Sequence, residues 1–75
     1  MSFKELAIIT LKKDAGEIYK NQITYFLGDY LKINLYSFEE NNYHSVKEKL
    51  ILLSVYMKHD EIARISSPEA QILIP

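Results

Sequence analysis

Cysteine is absent from this 75-residue chain, and glycine and proline occur only twice each. Without cysteine there is no disulfide scaffold, no thiol redox chemistry and no thiolate metal site. A phosphate loop needs glycines spaced as G-x-x-x-x-G-K-[ST], and a dinucleotide turn needs G-x-G-x-x-G. Gly16 stands alone in the turn where either would sit, so both are excluded. Neither sign of charge dominates. Nine basic residues against ten acidic ones leave a net charge of −1, with no electrostatic footprint for nucleic acid. No apolar run approaches the ~18 residues of a membrane span, and the first residues lack a signal peptide's apolar core. These absences point to a cytoplasmic protein without membrane association. What the chain does have is an apolar content of 48%, enough for one small globular domain over residues 1–75.

Strand and helix patterns alternate along it. Leu6-Ala7-Ile8-Ile9-Thr10-Leu11 is almost purely apolar, as in a strand covered on both faces. Lys12 to Gly16 is turn chemistry. Asp14 followed by Glu17 resembles a capping box, with both carboxylates suited to the positive end of a helix. Tyr19, Ile23, Phe26 and Leu27 then recur at helical spacing and form its inward face, and Gly28 stops the helix. In Tyr30 to Tyr36, Leu31, Ile33 and Leu35 alternate with Lys32, Asn34 and Tyr36, which marks a strand with one lightly covered face. That strand belongs at a sheet edge. Tyr43, Val46 and Leu50 keep a helical spacing that predicts a short helix over 43–49. Leu50 to Tyr56 reads as a buried strand, His59 to Ile65 as two helical turns ended by Ser66-Ser67-Pro68, and Gln71 to Ile74 as a fourth strand.

The pattern β-α-β-α-β-α-β, with right-handed crossovers, predicts an α/β fold. The expected form is a three-layer, open, mostly parallel four-stranded sheet of order 2-1-3-4, a truncated flavodoxin-like or receiver-like fold. In this winding the first helix has no companion on its own face. Strands three and four should stay wet there unless another copy, another domain, or the long side chains of Tyr56, Met57 and Lys58 cover them. The first two alternatives imply a self-associating piece or the N-terminal part of a larger protein.

Ligands of such sheets collect at the carboxyl ends of the strands, near the switch point between strands one and three. The candidate ligand-binding residues there are Thr10, Lys12, Lys13, Asp14, Gly16 and Ser54. A helix start beside two lysines would suit a small anion, against the plainer reading of a solvated turn. Catalytic constellations are lacking. A phosphoacceptor receiver needs acidic residues after strand one and an aspartate ending strand three, where this chain has Leu11-Lys12 and Ser54-Val55-Tyr56. His44 and His59 lie in separate connections without metal-ligand spacing, and Ser54 has no G-x-S-x-G elbow. No enzyme activity, metal or cofactor is expected.

Leu6-Ala7-Ile8-Ile9-Thr10, Gly16-Glu17 and Phe26-Leu27-Gly28-Asp29-Tyr30-Leu31-Lys32-Ile33, followed by Tyr36, form a recognisable series over about residues 4–36. It resembles the N-terminal regulatory, receiver-like α/β domain of bacterial sigma-54-dependent transcriptional regulators. The resemblance implies a non-enzymatic regulatory or sensory domain that controls association on behalf of a downstream ATPase domain. It carries over no binding residue. A degenerate phosphotransfer or nucleotide-binding fragment and a purely structural dimerisation module are the alternatives.

Overall fold

The computed structural model describes residues 4–75. Its elements are β1 (Glu5–Thr10), α1 (Lys13–Leu27), a 3-10 turn (Gly28–Tyr30), β2 (Lys32–Ser37), β3 (Leu50–Ser54), α2 (His59–Ile65) and β4 (Gln71–Leu73). All three strand pairings are parallel, and the sheet runs β2-β1-β3-β4. This is the expected α/β winding. The uniformly apolar β1 lies inside it, and the alternating β2 forms an edge.

Side-chain alternation divides β1 between two layers. Ala7 and Ile9 join Val46, Ile51, Leu53 and Met57 in a buried cluster, against which Ile62 and Ile65 of α2 and Ile72 of β4 pack. Ile8 and Thr10 point to the opposite layer, under α1. Gly16 is buried where α1 meets the sheet; a Cβ built there would lie 3.4 Å from Thr10 Oγ1 and 3.5 Å from Leu35 Cδ2. These are ordinary contact distances, so a methyl fits between α1 and the sheet but a larger side chain does not.

The start of α1 differs from the expected capping box. Asp14 lies inside the first turn, and Lys12 at the N-cap contributes no side-chain bond. The Lys13 N–H instead donates to Glu39 Oε1 at 3.2 Å. The other end is as expected: Gly28 adopts φ 65°, ψ −143°, and its N–H donates to the Thr24 carbonyl. The helix face needs a correction. Phe26 is 79% exposed and Leu27 is also exposed, because α1 lies over β1 and β2 and, among the described residues, no element packs beside it above β3 and β4.

The second correction concerns residues 43–49, which are not helical. The connection from β2 to β3 crosses its layer in extended form, held by a Val46 N–H bond to the Ile65 carbonyl (2.7 Å) and a parallel bridge between Val46 and Ser66. Val46 and Glu48 point inward while Lys47 and Lys49 point out, a period of two that overrides the helical spacing of Tyr43, Val46 and Leu50. Among the described residues, the layer opposite α1 therefore contains one helix and an extended segment. The connection begins with a tight turn: Ser37 Oγ accepts from the Glu40 N–H, Asn42 Oδ1 accepts from the Ser37 N–H, and Asn41 takes φ 55°. Asn is among the residues that tolerate that conformation.

Candidate functional site

Among the described residues, the site that the sequence suggested at the carboxyl edge of the sheet divides between two clefts. The smaller, about 250 Å³, opens between the ends of β1 and β2 and is lined by Thr10, Lys13, Leu35, Ser37, Glu40 and Asn42, among others. The larger, about 620 Å³, lies beyond the ends of β3 and β4 between α1 and α2, with Ser54 in its wall. Thr10 and Lys13 thus face one cleft and Ser54 the other. Lys12, Asp14 and Gly16 line neither.

Each candidate residue has a local reason for its place. Thr10 Oγ1 donates to the Lys12 carbonyl at 2.6 Å, so the hydroxyl ties off the β1–α1 turn. Lys12 and Asp14 are exposed. Gly16 is a packing residue under α1. The Lys13 ammonium lies 3.6 Å from Glu40 Oε1, while its backbone N–H is satisfied by Glu39. The positive end of α1 therefore already faces two carboxylates of the chain itself, brought there by the turn after β2. An external anion would compete with Glu39 for the Lys13 N–H and with Glu40 for its ammonium.

Across the sheet edge, Ser54 Oγ and the Tyr19 hydroxyl are hydrogen-bonded at 3.1 Å, joining the end of β3 to α1. Around this polar pair the larger cleft is mainly apolar: Leu53, Val55, Met57 and Ile62 form its walls, and His59 and the exposed Tyr56 stand at its margin. Helical spacing places Tyr19 on the inward face of α1, but only the sheet register brings it to Ser54.

A second polar cluster escaped sequence reasoning. Glu48 is 6% exposed. Its carboxylate accepts from Asn34 Nδ2 at 2.5 Å and from the Tyr36 hydroxyl at 3.0 and 3.1 Å. Asn34 Nδ2 also reaches Glu5 Oε1 at 3.4 Å. Among the described residues no cation pairs with Glu48, so hydrogen bonds alone offset its desolvation. The Tyr36 hydroxyl is pushed up to about 12, first by burial, then by its bond to Glu48 and the charges of Glu48 and Glu5. It stays protonated at neutral pH and acts as a donor. The signal for this cluster was present in the alternation Val46-Lys47-Glu48-Lys49, opposite the two polar side chains of β2.

Beside the connection that carries Glu48, Phe38, Tyr43 and His44 form a stack with ring centroids 4.4 and 4.5 Å apart. Among the described residues no helix is long and apolar enough to cross a membrane. Comparison with family models, with curated proteins and with solved structures returns no match.

Proposed function

We propose that this chain is a non-enzymatic regulatory domain that works by self-association through the uncovered α1-side face of its sheet. The observation that carries the reading is one cross-strand row. Ile8, Leu52 and Leu73 are register partners on β1, β3 and β4 and point to the same layer. Under α1, Ile8 is 0% exposed; Leu52 is half-buried; Leu73 is 46% exposed. Burial fades along the row as the cover of α1 ends. On α1 the exposed Phe26 lies two helical turns from Tyr19, the residue that reaches β3 at Ser54, and so falls on the flank turned toward this row. Contiguous apolar exposure of this kind on a small domain marks an interaction surface. Tyr56 and Lys58 do not fold over it, both being exposed, and Met57 is buried in the opposite layer.

A second copy suits this face because each chain offers both halves of a contact: an open sheet surface and an apolar helix flank. A two-fold axis can set one against the other in both directions. The resemblance of residues 4–36 to the regulatory domain of sigma-54-dependent regulators supports the further reading that association controls a transcriptional regulator. Ligand binding could shift such an equilibrium only through different affinities for the associated and free states. An anion at Lys12 and Lys13 is not part of this reading, since Glu39 and Glu40 already occupy that end of α1.

Sedimentation velocity over a concentration series tests the proposal. Association that rises with concentration and is lost in Leu73→Lys is the expected result. A wild-type chain that remains monomeric at the highest concentrations overturns it.

A further inference from the structure

The larger cleft is separate from the open apolar face. Much of its wall, including Leu53, Met57 and Ile62, belongs to the opposite layer. Its volume of about 620 Å³ falls within the ~300–1,000 Å³ typical of small-molecule sites. The location also favours a ligand. The chain leaves β1 for α1 on one face and β3 for α2 on the other, and crevices between such diverging connections hold the ligands of open parallel sheets.

The lining restricts the chemistry. Among the described residues that line the cleft there is no lysine, arginine, aspartate or glutamate side chain. His59 and the C-terminal Pro75, which can carry charge, are exposed, so a charged molecule seated against the Tyr19–Ser54 pair would lack an acidic or basic partner there. The polar pair of Tyr19 and Ser54 lies between apolar walls. Two hydroxyls that share one hydrogen bond retain one O–H hydrogen and free acceptor lone pairs, whichever of them donates. The pair can therefore satisfy either a carbonyl or a hydroxyl.

We propose that this cleft binds a small uncharged molecule, an apolar ring bearing one carbonyl or hydroxyl group that meets the Tyr19–Ser54 pair. The ring lies against Leu53, Val55, Met57 and Ile62. The site does not depend on self-association, and Leu73 is outside its lining.

Acetophenone and benzyl alcohol are the neutral probes, with benzoate and benzylamine as charged counterparts, followed by backbone amide shifts of the isotopically labelled chain. The neutral probes should produce saturable shifts over residues 53–57 and at Ile62, while the charged ones bind at least tenfold more weakly. Tyr19→Phe and Ser54→Ala should each weaken acetophenone binding roughly three- to tenfold, the share of one neutral hydrogen bond. Leu73→Lys should bind as the wild type does. The proposal is overturned by an absent or non-saturable response, by shifts centred on Leu50, Leu52 and Leu73, by benzoate or benzylamine binding as well as the neutral probes, or by indifference to both hydroxyl substitutions. Sedimentation of the same samples reads association separately, so either idea can fail while the other stands.

Discussion

The Tyr36 hydroxyl donates to the buried carboxylate of Glu48 at 3.0 Å, linking the edge strand β2 to the extended connection that crosses over it. Two polar side chains of β2 that read as solvent-facing, Asn34 and Tyr36, are instead the partners of an acid. The Tyr36 hydroxyl ionises in the folded protein at about 12, against an ordinary 10.0. Between those values the folded state holds a proton that the unfolded chain releases, so stability falls as pH rises. The contribution is complete below pH 10 and lost through 12. Denaturation of wild type and Tyr36→Phe at several pH values should show their difference shrinking across that window. A constant difference would contradict this assignment.

Removing the acid should be costly. Glu48→Ala leaves the Asn34 amide and the Tyr36 hydroxyl without their shared acceptor, and a loss of about 2 kcal/mol or more is expected in urea denaturation. Because the groups act together, Tyr36→Phe should cost less in the Glu48→Ala background than in the wild type. Strict additivity would mean that the three side chains are not coupled.

The two glycines should respond in opposite directions to alanine. At Gly16 the new Cβ meets Thr10 and Leu35 at ordinary contact distance, while the helix gains up to about 1 kcal/mol of propensity. Gly16→Ala is therefore expected to be neutral or stabilising, whereas Gly16→Leu would push α1 off the sheet. At Gly28 there is open space, but φ 65° with ψ −143° is backbone that an L side chain strains to adopt. Gly28→Ala should lose about 1–3 kcal/mol. Thermal unfolding of the three variants tests both signs.

Phe26 is exposed and contributes little to the stability of a single chain. Its ring meets the exposed Tyr25 edge-on at 5.2 Å, so Phe26→Ser should change the stability of the monomer by no more than about 1 kcal/mol. Its effect on association should be much larger, lowering the association constant at least tenfold in sedimentation. The opposite pattern, a destabilised chain with unaltered association, would place Phe26 in the core and outside any interface.

The carboxylate at the start of α1 provides a further test. Glu39→Ala removes the acceptor of the Lys13 N–H and a negative charge near the helix start, which should cost about 0.5–1 kcal/mol. Glu40→Ala breaks an exposed ion pair and should cost less than Glu39→Ala. Urea titrations of the two variants decide the order.

Much of the architecture was legible in local pattern. The uniform apolarity of Leu6 to Ile9 and the alternation of Leu31 to Tyr36 distinguish an inner strand from an edge strand, because burial on two faces or one acts on each side chain directly. Gly28 marks the end of α1 for an equally local reason, its backbone angles. The stretch 43–49 was misread because Tyr43, Val46 and Leu50 have the spacing of a helix. Its conformation is decided by partners distant in sequence: Ile65, which accepts the Val46 N–H, and Asn34 and Tyr36, which take up Glu48.

The candidate site divides in the same way. Its residue types were visible, but the single site expected around Thr10, Lys12, Lys13, Asp14, Gly16 and Ser54 becomes two clefts. Glu39 and Glu40 approach one end of α1, and Tyr19 reaches Ser54. By itself, the absence of cysteine, of glycine-rich loops and of an excess of charge removed whole classes of chemistry, since those chemistries require the missing residues wherever the chain goes. Only the tertiary structure decided which polar groups meet and which apolar side chains remain uncovered, because contacts between residues dozens of positions apart depend on how the strands stack and where α1 comes to rest.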